Sequence, residues 1–394
     1  MSRSFPDHGG IAQGIQSAFP KAEYDGRIAG ARELLFKAGI DVLIVTGPEN
    51  IFYLTGQQTP GYFMFQALLL PVDGEPAFII RQLEYFNFTA NTFITDPTIY
   101  QDSDQPVKVL VDVIAARGWA SRRVAIDKRG WFMPIATFEA LQSEIGAIGD
   151  GAGIIEQLRV VKSAAEIEKI VQAAAYVDAG LRAGLAAVKV GANDNDLAAA
   201  MAGAAIAAGS EYVGMEPLVS SGWRSGMPHA TWRREPLAKG DPIFLEMAAS
   251  HDRYHAALLR CAWLGAMPQA AIEMEKTSQE ALQAALDAIR PGASCEAPHA
   301  ACLGVIDRAG YGENFRKRAG YSMGIAFAPD WGEGGVLSLY AGVTTELRPG
   351  MAFHIPVALR VFGRFTVGVS ETVIVTQTGY RSLSKIDRLI LRIA

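Results

Sequence analysis

Hydrophobic and polar positions along the first ~150 residues switch repeatedly between helix-like and strand-like periods. Residues 24–38 carry apolar side chains at helical spacing. DVLIVTG (41–47) and IFYLTG (51–56) are short apolar runs that predict buried strands. FQALLLPV (65–72) and EPAFII flank Asp73-Gly74, a pair suited to a tight hairpin turn because both residues tolerate positive φ. A helix over 105–117, a strand over 122–127 and a helix over 134–147 follow. This alternation predicts an N-terminal α/β domain with a mixed sheet, residues 1–157.

Ser163 and Glu166 are spaced as a capping box. Behind them Ile167, Ile170, Val171, Ala174, Val177 and Leu181 recur at helical spacing, so a long helix opens a second domain, 158–394. That domain repeats itself. Helices near 164–188 and 195–209 precede a strand pair at 241–265; helices near 269–290 and 296–310 precede another at 351–376. The strand pairs open alike, Leu237-Ala-Lys-Gly240-Asp-Pro-Ile-Phe244 in one and Leu347-Arg-Pro-Gly350-Met-Ala-Phe353 in the other, 110 positions on. Two helices then two strands, twice, predicts an α+β domain: a curved antiparallel sheet backed by helices, with approximate two-fold symmetry. Its concave face is the natural ligand cleft.

Length and composition narrow the function. The 394 residues suffice for two domains, and a chain that is 50% hydrophobic can bury large cores. A net charge of -5 disfavours nucleic acid, which needs a basic footprint. Three cysteines, Cys261, Cys295 and Cys302, with no CxxC spacing, support neither a disulfide framework nor a structural zinc, and suit a reducing cytoplasm. The N-terminal MSRSFPDHGGIAQG lacks the apolar core of a secretory signal, and no run of about 18 apolar residues predicts a membrane span. Ala-rich runs such as 198–208 read as closely packed helices. No GxSxG, Walker loop or HExxH occurs, nor a GxGxxG preceded by a strand.

Several stretches, in this order, resemble the pita-bread family of creatinases, prolidases, methionine aminopeptidases and aminopeptidase P. They are LRVVKSAAEIEKI (158–170), PHATWRREPLAKGD (228–241), RYHAALLR (253–260), AGYSMGIAFAPDWGE (319–333), LRPGMAFHI (347–355) and VSETVIVT (369–376). The resemblance covers the whole chain and is strongest after residue 158. It implies a creatinase-type N-terminal domain, a pita-bread C-terminal domain, and a homodimer in which one subunit's small domain borders the other's cleft. The family's metallopeptidases hold two metal ions on an Asp, a second Asp eleven residues on, a His, a Glu and a final Glu. At these positions the present chain has Glu246, Ala257, Tyr321, Pro356 and Glu371. Two carboxylates cannot hold a dinuclear centre, so the expectation is no metal and no cofactor. Among metal-free members the resemblance is nearest to ectoine hydrolases. It is carried by Pro228-His229-Ala-Thr-Trp232, Leu245-Glu246-Met-Ala-Ala with Arg253-Tyr254-His255, Ala328-Pro329-Asp330-Trp331-Gly332-Glu333, and Met351-Ala-Phe353-His354.

The chemistry agrees with that loss. A peptide carbonyl needs polarising, which metals normally supply. An amidinium or guanidinium carbon already carries positive charge, which a carboxylate can stabilise, attack or hydrate through water. Glu246 sits in Phe244-Leu245-Glu246-Met247-Ala248, an otherwise apolar strand where an acid is costly to bury, and is the expected nucleophile or general base with a raised pKa. The bland alternative is an edge glutamate. His229, matching a family histidine, is expected to protonate the leaving nitrogen; otherwise it is a loop histidine. Glu371 is expected to accept from a substrate N–H, or else to be a structural carboxylate paired with Arg260. Tyr321 would donate to a substrate oxygen or simply pack. His354 and His255 are strand histidines near the cleft, and Trp331 and Trp232 could stack on a cationic ring. Arg224, Arg233 and Arg260 are the candidates for a substrate carboxylate. The expected activity is hydrolysis of a C–N bond in a small zwitterion, of the ectoine type. The alternatives are a creatinase-like amidinohydrolase, a metallopeptidase using Glu246, His255, His354 and Glu371, and a domain that binds without catalysis.

Overall fold

In the computed structural model, which describes residues 14–394, the chain divides into two units between Arg159 and Val160. The reading of the N-terminus rests on residues 1–13, outside the described residues. No described helix is long and apolar enough to cross a membrane.

The first unit begins with helix α1 (Lys21–Ala38), strand β1 (Val42–Val45), helix α2 (Pro48–Thr55), and the hairpin β2 (Ala67–Pro71) and β3 (Ala77–Arg81). It continues through α3 (Tyr85–Asn91), β4 (Thr98–Tyr100), α4 (Pro106–Ala116), β5 (Val124–Ile126), α5 (Ile135–Ile145), β6 (Gly149–Asp150) and α6 (Ile154–Arg159). The sheet order is β4-β3-β2-β1-β5-β6, mixed because β1 runs antiparallel to β2 and parallel to β5. Val42, Ile44, Leu69 and Ile79 from the sheet pack against Leu110, Ile114 and Leu141 from α4 and α5. The expected strand at 51–56 is instead the helix α2. Pro48 starts it where no N–H is required, and Gly56, at φ 80, closes it by donating to the Phe52 carbonyl. Every residue of Ile51–Leu54 is buried, so the run shows no amphipathic period to betray the helix.

The second unit opens with α7 (Ala164–Ala187), whose capping box on Ser163 and Glu166 forms as spaced. α8 (Asp194–Ala208) and β7 (Leu218–Ser221) lead to the hairpin β8 (Pro242–His251) and β9 (Tyr254–Leu264). Then come α9 (Gln269–Asp287), α10 (Glu296–Arg308), β10 (Gly320–Ser322), β11 (Ser338–Leu339), and the hairpin β12 (Ala352–Val361) and β13 (Phe365–Val375). β14 (Tyr380–Ser382) and β15 (Leu391–Ile393) end the chain. β8 and β12 lie 110 positions apart at both ends, as the repeat predicts. The strands form two sheets, β15-β9-β8-β7 and β11-β10-β12-β13-β14.

β9 and β13 meet at the pseudo-symmetry seam, held by side-chain hydroxyls. Ser370 Oγ accepts from the Leu259 N–H at 2.7 Å. Thr372 Oγ1 accepts from the Ala257 N–H at 3.1 Å and donates to the Ala257 carbonyl at 2.7 Å. Buried backbone groups must be satisfied, and here two β-hydroxyls do what a ladder would otherwise do.

Candidate active site

Opposite residues of an antiparallel pair share a face, and successive residues alternate. Register places Glu246 opposite Leu259, with Phe244 and Ala248 on the same face. It places Pro356 opposite Ser370, with His354, Ala358 and Arg360 on that face. The two faces meet: the Arg360 guanidinium lies over the Phe244 ring, 5.4 Å from its centroid. Tyr321 pairs with His354 and joins them.

Glu246 is 8% exposed, and its carboxylate makes no hydrogen bond among the described residues. Burial pushes its pKa above the ordinary carboxylate range, against the pull of Lys317, Arg360 and His229. Lys317 and Arg360 escaped the sequence reading. Lys317 is half-buried, and burial, reinforced by Arg360, pulls it down to about 8 while Glu246 opposes. Burial also lowers the Arg360 pKa, and its Nε is buried without a hydrogen-bond partner among the described residues. Asn314 Nδ2 donates to the Arg360 carbonyl at 2.7 Å, tying the turn before Lys317 to β12. In sequence Lys317 stands in Arg316-Lys317-Arg318, a run that reads as a solvated surface. The available signal for Arg360 was its place in the inward series His354, Pro356, Ala358.

His229 is exposed on the loop after the 3-10 turn Gly222–Gly226, with φ 55, unusual for a side chain bearing Cβ. The turn presses on the β12–β13 hairpin: a Cβ on Gly226 would meet Arg364 N and Val361 O at 2.6 and 2.7 Å. Further along the loop, buried Asp194 accepts from the Arg233 and Glu235 N–H groups and pairs with Arg224 at 3.3 Å. Arg224 also donates to the Thr231 carbonyl, so it braces this loop. Arg233 is exposed, and Trp232, on the same loop, is half-buried.

Tyr321 anchors a chain of hydrogen bonds. Trp331 Nε1 donates to its hydroxyl at 2.8 Å, the hydroxyl meets His354 Nδ1 at 2.8 Å, and His354 Nε2 meets Ser370 Oγ at 2.7 Å. Burial holds His354 neutral, far below its ordinary pKa, and Tyr321 protonated, far above. On the neutral ring one nitrogen donates and the other accepts, so His354 either accepts from Tyr321 and donates to Ser370 or does the reverse. Trp331 and His354 therefore hold Tyr321, which the nearby Glu246 charge also keeps protonated.

Three expected site residues are committed elsewhere. Glu371 pairs with Ile355 in register, so it faces away from Pro356 and from Glu246; Ser370 takes the inward place. Its Oε1 accepts from Arg260 at 3.1 Å and Arg388 at 3.0 Å, and burial raises its pKa. Arg260 spends its remaining donors on the carbonyls of Leu259, Ser370, Ile386 and Asp387, leaving none for a substrate. His255 accepts from the Gly214 N–H on Nε2 at 3.1 Å and lies 2.9 Å from the Arg253 carbonyl through Nδ1. Burial lowers its pKa to about 3. It is a neutral pin between backbone segments.

The donor set does not fit a metal ion. Ala257 and Leu259 face Glu246, Ser370 faces Pro356, and both His354 nitrogens are engaged. Among the described residues no three His, Cys, Asp or Glu side chains gather around one point, so Glu246, His255, His354 and Glu371 do not form a displaced centre.

The profile of metallopeptidase family M24 matches residues 168–377, and that of the creatinase/prolidase N-terminal domain matches 27–161. The chain is 28% identical over 397 residues to the ectoine hydrolase of Halomonas elongata, covering 95% of this chain and 98% of that one. It is 25% identical over 354 residues to the Xaa-Pro dipeptidase of Lactobacillus helveticus, covering 88% and 94%. The crystal structure of dipeptidase PepE from Mycobacterium ulcerans superposes with a TM-score of 0.82 at 26% identity, covering 95% and 99%.

Proposed function

The chain belongs to metallopeptidase family M24, a family of hydrolases, and from that premise we propose that it hydrolyses a C–N bond of a small zwitterion without a metal ion. The substrate class is a cyclic amidine carboxylate of the ectoine type. The observation that carries this reading is Glu246: a buried carboxylate without a hydrogen bond among the described residues, on a face whose donor set there does not fit a metal. The similarity to an ectoine hydrolase along 95% of the chain supports it.

Glu246 attacks the amidinium carbon or takes a proton from the water that does. One ring C–N bond breaks, and His229 delivers a proton to the departing nitrogen. Net addition of water yields the open-chain acetyl-diaminobutyrate. Tyr321, hydrogen-bonded to His354, walls the site beside Glu246. Glu371, Arg260 and His255 act as structural residues. Because Glu246 works ionised, turnover falls as pH drops through its raised pKa, above the ordinary glutamate range. A cytoplasmic homodimer completes the reading, and light scattering on the purified protein checks the dimer.

The similarity to dipeptidases favours one second reading, peptide hydrolysis. The deciding experiment incubates purified protein with ectoine in excess EDTA, with creatine and an Xaa-Pro dipeptide alongside, and follows products by LC–MS. Conversion of ectoine under chelation, abolished in Glu246→Gln, supports the proposal. Dipeptide cleavage restored by manganese, with ectoine untouched, overturns it.

A further inference from the structure

We propose that Lys317 and Arg360 form a subsite for the substrate's carboxylate, beside Glu246. This deepens the reading above, since it takes the Glu246 face as the active site, and it replaces Arg224, Arg233 and Arg260 as carboxylate candidates.

Neither cation has an ion pair or a side-chain hydrogen bond among the described residues, and Arg360 Nε is buried without a partner. Other arginines nearby are spent: Arg260 on Glu371 and four carbonyls, Arg224 on Asp194 and Thr231. Charge that is partly desolvated and unpaired is costly, and an anionic ligand would offset that cost. Glu246 is the carboxylate that acts on both cations. One carboxylate against two cations leaves the face with surplus positive charge, which an anionic group would neutralise.

The geometry suits a carboxylate. The Phe244 ring covers one side of the guanidinium, and a guanidinium is a planar fork matched to the two oxygens of a carboxylate. Lys317 adds a point charge on a turn fixed to β12 through Asn314. A zwitterion is thereby oriented, its acid end at Lys317 and Arg360 and its C–N centre at Glu246. Ectoine, creatine and an Xaa-Pro dipeptide each carry one carboxylate, so the subsite does not depend on which of them is the substrate.

The test is calorimetric binding to the full chain carrying Glu246→Gln, which silences turnover. The probes are ectoine, creatine and Gly-Pro, each beside its carboxamide. At least one acid is expected to bind about 30-fold or more tightly than its carboxamide. Adding Lys317→Met or Arg360→Met should shrink that ratio towards one, and Arg360→Lys should keep part of it. Thermal melting confirms folding; if Arg360→Met unfolds, Lys317→Met and Arg360→Lys decide. Equal binding of acid and carboxamide, a ratio unchanged in the variants, or no acid bound at millimolar concentration overturns the subsite. Preference for Gly-Pro over its carboxamide, with ectoine unbound, overturns the proposed substrate and leaves the subsite standing.

Discussion

Replacing Glu371 with glutamine removes the charge that Arg260 and Arg388 share. The Arg260 side chain is 1% exposed, so its charge cannot turn to water. Leaving such a charge unpaired costs about 3–5 kcal/mol. The Arg388 side chain, 31% exposed, reaches solvent and adds little. In a domain of ~150–250 residues each kcal/mol moves the melting temperature by about 2–4 °C, so Glu371→Gln should melt about 6–20 °C lower. Turnover per folded molecule should stay near wild type, because Glu371 faces away from Glu246. Replacing Glu371 and Arg260 together with methionine should cost less than Glu371→Gln alone, since no buried charge is orphaned. Differential scanning calorimetry gives the stability, and initial rates well below the melting point give the activity. A variant that melts like wild type yet loses turnover a hundredfold would refute the face assignment and return Glu371 to the active site.

Tyr321→Phe strips the hydroxyl between Trp331 Nε1 and His354 Nδ1 and leaves two buried groups unpartnered. At about 1–3 kcal/mol each, a clear fall in melting temperature is expected, with a smaller loss of turnover than in Glu246→Gln; equal losses would make Tyr321 a direct participant. His255 has a folded pKa of about 3 against an ordinary 6.5, so the unfolded chain binds the extra proton between those values. Stability from its neutral state is complete above pH 6.5 and drains as pH falls towards 3, by up to about 4 kcal/mol. Urea titrations at pH 7 and pH 4 on wild type and His255→Gln check this. An acid loss equally large in the variant would place the titration elsewhere. Glu246→Gln should lower turnover by about 10²–10⁴-fold while melting no lower than wild type, because it removes a buried charge; a rate within threefold of wild type would remove Glu246 from the chemistry.

Local patterns carried far. The capping box on Ser163 and Glu166, the helical spacing behind it and the duplicated strand openings placed α7, β8 and β12 because each signal lies within a few residues. Glu246 was legible for the same reason, a lone acid in an apolar strand. Where a segment is buried all round, as in α2, periodicity vanishes and the assignment fails. Faces are harder still. The β8–β9 turn has two residues, Asp252 and Arg253, and the β12–β13 turn has three, Phe362, Gly363 and Arg364. A one-residue change in a turn inverts which side chains face the cleft, and it decided that Ser370 rather than Glu371 points inward.

From its amino acids alone the chain determined its α+β class, its repeat and the acid set in an apolar strand, since these follow from spacing along a single strand or helix. Tertiary structure alone decided the partners of each charge. Arg260 and Glu371 pair on the back face, while Lys317 and Arg360 come together beside Glu246 from segments far apart in sequence. Whether a charge is spent or available depends on groups that only folding brings within reach, and burial, which sets their proton affinities, exists only once the chain has packed.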